Sequence, residues 1–266
     1  MRIPYLKIVL AVLLPVGPSF GMVSGDALED LPTEDAAFLR KHLPGVVIEH
    51  VRPHVPLEKA GEWLPLEAAD FEFIRPGETD KTLKMSVKPS NRVPGSAADS
   101  DHGGWMMRLP NGTVRYLSQL EDRGISAPTD VSTSNGFIIR LDPPEPIVHE
   151  GLKPGQSLVR DITVDIYDVG SPKEVAYSGK VRCTWSDLGL FKVKVPKGTY
   201  DTHLIRIEYK GSVGPASVSA KRYLFLARGL GPVAFTDMRD ISAFIFFNDD
   251  TSQTGVLTGF GSRKGG

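Results

Sequence analysis

The chain has 266 residues, 41% of them hydrophobic and 24% charged, with a formal net charge of −1. Such a composition is globular, and the near-zero balance excludes the electrostatic footprint of a nucleic-acid binder. A single cysteine, Cys183, excludes an intrachain disulfide, so the hydrophobic core alone must hold the fold, as it can at this length.

Residues 1–21 have the layout of a secretory signal peptide. Arg2 and Lys7 are basic, residues 8–16 are apolar, and Ser19 and Gly21 place small residues ahead of Met22. The apolar run is short of the ~20 residues a membrane span needs, and no cysteine stands at the cleavage point for lipidation. The remainder is therefore expected to be periplasmic or secreted, with no stable membrane span after leader removal.

Residues 22–70 read as a short helix and a proline-rich arm. Thr33 can cap a helix carrying Asp35, Ala36, Ala37, Leu39 and Leu43, which Pro44-Gly45 ends. Over 46–65 prolines recur among apolar residues, predicting an extended arm docked on the body with Trp63 and Leu64 as anchors.

A first β region is expected over 71–142, with strands at 71–74 and 83–87 and a mobile polar loop over 88–104. Strands over 105–109 and 113–117 flank Asn111-Gly112, a type I′ hairpin signal because both residues tolerate positive φ. The turn also accounts for the glycosylation-like Asn111-Gly112-Thr113. Four prolines between 141 and 155 argue against a central strand and mark the boundary to a second β region over 143–260.

In that second region the alternation is clearer. Leu158, Ile162, Val164 and Ile166 oppose Asp161, Thr163 and Asp165. Val175, Tyr177, Val181, Cys183 and Trp185 oppose Glu174, Lys180 and Arg182, and Ile205, Ile207 and Tyr209 oppose Arg206 and Glu208. Further strands are expected over 191–195, 218–227, 233–235, 241–247 and 256–260, and a disordered tail over 261–266. No strand–helix–strand rhythm appears. The fold class predicted is mainly β, a curved antiparallel sheet or half-barrel with a short N-terminal helix and the arm.

Motifs that carry chemistry are scarce. There is no Gly-x-Ser-x-Gly elbow, and Cys183, mid-strand beside Val181 and Trp185, reads as core. His50 and His54 enclose Pro53, which removes a helix; on a strand they share a face, which makes a metal site geometrically possible and no more. Asp99, Asp101 and His102 read as a solvated loop without EF-hand spacing, and Asp249-Asp250 as a turn. No cofactor and no metal is expected. His203 is in phase with Asp201, Ile205 and Ile207, at the rim of the apolar face, where a polar pair can orient a ligand. His203, Ile205, Ile207 and Trp185 are the candidate ligand-binding residues.

Three phrases, Val195-Pro196-Lys197-Gly198-Thr199-Tyr200, Glu208-Tyr209-Lys210-Gly211 and Gly229-Leu230-Gly231-Pro232-Val233, carry a resemblance. In that order they resemble exported bacterial proteins of unknown function with a curved antiparallel sheet, a V-P-x-G-T-[YF] turn and a G-x-G-x-V turn. The likeness extends more loosely to the half-barrel of periplasmic lipoprotein carriers. It covers about 151–247, its motifs are turn chemistry, and it implies an envelope location and a β fold but no reaction.

Three functional readings follow. The leading one is a non-enzymatic envelope protein that binds an apolar small molecule or a protein partner on its sheet. The second is a structural or assembly factor of the envelope, which requires an exposed apolar stripe on the arm. The third is a hydrolase with a dispersed site, which requires a polar cleft where His203, His149 or His102 meets carboxylates.

Overall fold

The computed structural model describes residues 26–91, 104–120, 124–153, 155–243, 247–248 and 251–262. The expected leader, the cluster of Asp99, Asp101 and His102, the Asp249-Asp250 turn and the last four residues of the expected tail lie outside the described residues.

The N-terminal segment holds α1 (Thr33–His42), β1 (Val47–Val51) and the four-residue α2 (Ala60–Trp63). Next come β2 (Ala69–Ile74), β3 (Thr82–Ser90), β4 (Gly104–Arg108), β5 (Val114–Leu120) and β6 (Gly124–Ser132). Longer strands follow: β7 (Phe137–His149), β8 (Ser157–Asp168), β9 (Ser171–Val195) and β10 (Gly198–Val213). The chain continues through β11 (Ala216–Ala227), β12 (Gly231–Ala243), the two-residue β13 (Phe247–Asn248) and β14 (Thr251–Ser262).

Every pairing is antiparallel. From β2 to β12 each strand pairs with its successor, and β14 pairs with both β12 and β2. The expected mainly β fold with a curved antiparallel sheet is present; the sheet curves far enough to close into a ring of twelve strands, and both β regions belong to it. Closure gives each of the twelve strands a partner on both sides over at least part of its length, which limits open edges. β1 adds to β9 beyond the start of β8, and β13 pairs with β12.

The alternation fixes which wall faces where. Phe71, Phe73, Met85, Val87, Cys183 and Trp185 are buried, while Glu72, Lys84, Arg182 and Lys194 are exposed. A lipid-embedded barrel alternates the other way, with its apolar side chains outward. Among the described residues no helix is long and apolar enough to cross a membrane. Twelve strands enclose more space than the eight whose side chains just fill a barrel. Large side chains such as Trp185, Phe73 and Phe235 occupy part of this interior.

Outside, α1 covers the wall of β10 and β11. Its N-cap is Pro32, without a side-chain cap bond, so Thr33 is the first helical residue rather than the cap. Asp35 does more than decorate the first turn. It is wholly buried and accepts hydrogen bonds from the Tyr223 hydroxyl and from Arg206 Nη1, the latter at 2.6 Å. Phe38 stacks on Tyr223 with ring centroids 5.2 Å apart. Burial, then the bond to Asp35, pushes the Tyr223 phenol well up, so it stays a donor.

Several local expectations change. The segment at 141–155 is mostly strand: β7 runs through Pro143, Pro144 and Pro146. Its pairing with β8 ends at Asp142↔Thr163, and beyond that point it is held by β6 with shifted register. Prolines, which cannot donate to a ladder, thus sit where β7 has parted from one neighbour. At Asn111-Gly112 only Gly112 has positive φ, +85°. Its N–H donates to Leu109 O and Leu109 N–H donates to Thr113 O, the longer loop with a left-handed glycine rather than a type I′ turn. Val175 and Tyr177, expected on the buried face, are exposed. The strands expected at 175–185 and 191–195 are one strand, β9, with an irregularity opposite His203 and Ile205. A one-residue bulge swaps the faces, which is why Trp185 points into the barrel while Phe191, of the same parity, packs against His50 of β1.

Candidate functional site

The arm caps one end of the barrel. Ala60 N–H donates to Glu150 Oε1 at 2.7 Å, Gly151 N–H to Leu57 O at 3.0 Å, and Gly229 N–H to Glu62 O at 2.6 Å. Arg228 Nε adds a 2.7 Å bond to Glu62. These bonds reach the β7–β8 loop and the β11–β12 turn, so the cap is tied to two sides of one rim. Leu57 and Leu64 are buried beneath it, and Trp63 lies edge-on to His203 at 4.4 Å between ring centroids. The anchors expected for the arm are thus the ones observed. An apolar stripe for a neighbour is not presented: of the arm's large apolar residues, Ile48 and Val55 are exposed singly.

His203, Ile205, Ile207 and Trp185 all lie in the interior with no solvent exposure. Trp185 Nε1 donates to Ile147 O at 3.0 Å. His203 pairs with Asp187 rather than with Asp201, which is exposed; Nδ1 lies 3.0 Å from Oδ2 and 3.2 Å from Oδ1. Asp187 is delivered by the β9 bulge, where its Oδ1 accepts the Gly189 N–H at 3.0 Å. The dyad has the orienting carboxylate of a general base. His203 Nε2 has no hydrogen-bond partner among the described residues and is shielded from solvent.

An interior cavity of about 70 Å³ opens beside these residues. It is lined by their cross-strand neighbours rather than by the four themselves: Arg222 pairs with Ile207, Leu224 with Ile205 and Leu226 with His203. Met85, Met107 and Phe235 extend the apolar wall, and Leu64 from the arm adds to its lining.

One end of the cavity is ionic. Arg115 makes a two-pronged pair with Asp130 at 2.9 and 2.7 Å and donates from Nη1 to Glu145 at 3.1 Å. Glu145 also accepts from the Tyr209 hydroxyl and from Arg222 Nη1 at 3.3 Å. Arg222 and Arg239 both donate to Asp237 Oδ2. Burial, then Glu145, pushes the Tyr209 phenol well above its usual range. Burial alone would raise the Asp237 carboxyl, but Arg222 and Arg239 outweigh it and hold the group below the ordinary carboxylate range. Sequence reasoning missed this cluster. The available signal was charge on the apolar phase, since Arg222 alternates in step with Leu224 and Leu226, and Asp237 with Phe235.

The remaining candidates are structural. His50 and His54 do meet, with ring centroids 4.6 Å apart, but His50 Nδ1 is 2.6 Å from Asp30. No group of three or more metal-type ligands exists among the described residues. Cys183 is buried, and burial, then Glu145, pushes its thiol up to about 12. The folded protein is expected to resist a thiol reagent such as iodoacetamide at pH 8 and to be labelled fully in urea, as mass spectrometry would read; fast labelling in the native state would contradict this placement.

No protein family and no curated protein matches the chain. Two solved structures share parts of its shape. One is a protein described as exported, with a YmcC-like fold, from Bacteroides fragilis: 11% identity, 73% of this chain and 94% of that one covered, TM-score 0.36. The other is described as a lipoprotein from Parabacteroides distasonis: 10% identity, 73% and 95% covered, TM-score 0.33. Likenesses of that size assign neither a family nor a function.

Proposed function

We propose that the chain is an exported envelope protein that binds a small molecule with an apolar body inside its barrel and carries out no reaction on it. The observation that supports this reading is the cavity whose apolar wall is made by Met85, Met107, Leu224, Leu226 and Phe235, with Leu64 of the arm joining the lining. Apolar walls with a few convergent polar groups characterise ligand pockets, and the two methionines supply an adaptable surface. Export rests on the leader-like residues 1–21. Binding is favoured over hydrolysis because the His203–Asp187 pair is wholly buried and, among the described residues, its Nε2 has no hydrogen-bond partner. The arm, tied down at two sides of the one rim it touches, is read as a cap and not as a docking segment.

The test is to recover the mature protein from a bacterial envelope fraction, weigh it by native mass spectrometry, and extract and identify what it retains. A mass starting at Met22 with a small apolar species in stoichiometric amount is the expected result. An uncleaved chain, or an empty monomer that takes up no apolar compound, would overturn the reading.

A further inference from the structure

The ionic end of the cavity narrows the chemistry of the ligand, an inference that rests on interior binding as proposed above. Three guanidiniums, of Arg115, Arg222 and Arg239, meet three carboxylates, of Asp130, Glu145 and Asp237. The cluster is therefore balanced in charge. Its hydrogen bonding is not. Asp237 lines the cavity and is only 9% exposed, yet its Oδ1 has no partner among the described residues, both arginines having gone to Oδ2. A buried acceptor left unsatisfied costs free energy that a donor would recover.

Three kinds of head group can be weighed against that vacancy. A carboxylate or phosphate brings no donor when ionised and sets a second negative charge against Asp237. An ammonium brings donors, but it enters beside Arg222 and Arg239 and adds an unbalanced positive charge in a desolvated site, where an unpaired charge is expensive. An uncharged hydroxyl donates to Asp237 Oδ1 and leaves the ion pairs as they are. The volume sets the size: a single water needs roughly 10–15 Å³ of such space, so about 70 Å³ suits a compact molecule. We infer that the barrel takes a small uncharged amphiphile, its hydroxyl head on Asp237 Oδ1 and its apolar body along Met85, Met107 and Phe235.

The experiment compares three probes of one chain length, 1-hexanol, hexanoate and hexylammonium, titrated at pH 7 into the full mature protein carrying ¹³C-methyl methionine. The Met85 and Met107 methyls line the cavity and report its occupancy. Hexanol is expected to shift both and to bind at least tenfold tighter than either ion. In Asp237→Asn that advantage is expected to fall below threefold. Should this variant not fold, Leu226→Phe, which narrows the cavity without touching the ion pairs, is expected to weaken all three probes together. Equal affinities, or tighter binding of hexanoate or hexylammonium, would overturn the assignment of the head group while leaving interior binding intact. If none of the three moves the Met85 and Met107 methyls, interior binding itself fails.

Discussion

Replacing Glu145 with alanine is expected to destabilise the fold by about 3–5 kcal/mol, the range for removing one partner of a buried charge pair. One carboxylate oxygen, Oε1, accepts from Arg115, Arg222 and the Tyr209 hydroxyl. The alanine would leave two buried guanidiniums short of a partner and a phenol without an acceptor. The donors come from β5 on one side of the ring and from the paired strands β10 and β11 on the other, so the loss loosens the barrel across its interior rather than along one seam. A midpoint of thermal unfolding lower by roughly 10 °C is the expected reading for a domain of this size. The control is Arg182→Ala, which breaks an ion pair with Asp161 on the exposed wall. Surface pairs are worth about 0–1 kcal/mol, so the control should move little. Equal effects of the two substitutions would mean that the interior cluster is not holding the walls together.

Asp35→Ala is expected to cost a similar amount, about 3–5 kcal/mol, by a different route. Asp35 is the polar bolt between α1 and the outer wall, wholly buried and bonded to Arg206 and Tyr223. Removing it leaves Arg206 without its buried carboxylate and the Tyr223 hydroxyl without an acceptor, beneath a helix of ten residues. Helices of that length are marginal without tertiary packing, so α1 should detach before the ring opens. Limited trypsin digestion would detect this as early cleavage after Arg40 or Lys41, with the barrel strands still protected. Cleavage there at the wild-type rate would show that the apolar contacts of Leu39 and Phe38 suffice to hold the helix.

The two predictions separate what is local from what is distant in this chain. The strands were legible because period-two alternation is a property of neighbours: Phe71 and Phe73 around Glu72, or Ile205 and Ile207 around Arg206, announce a wall with one buried face wherever it ends up. The anchoring of the arm through Trp63 and Leu64 was legible for the same reason, apolar bulk among prolines having nowhere to go but the body. Local signals also misled. The prolines after Leu141 argued against a strand, correctly for a fully paired one, but β7 had already left β8. At β9 the parity that puts Trp185 inside predicts the same side for Phe191, and a bulge reversed it.

What the sequence by itself determined is therefore the β class, the order of most strands and the helix that precedes them, because each follows from side chains a few positions apart. The tertiary structure alone decided that the sheet closes, since β14 meets β2 across most of the chain. It also decided that charges belong inside. Tyr209 and Arg222 lie 64 and 77 residues from Glu145, and Tyr223 lies 188 from Asp35. No local pattern records such partners, because a buried charge is tolerable only once its counter-charge has been folded beside it.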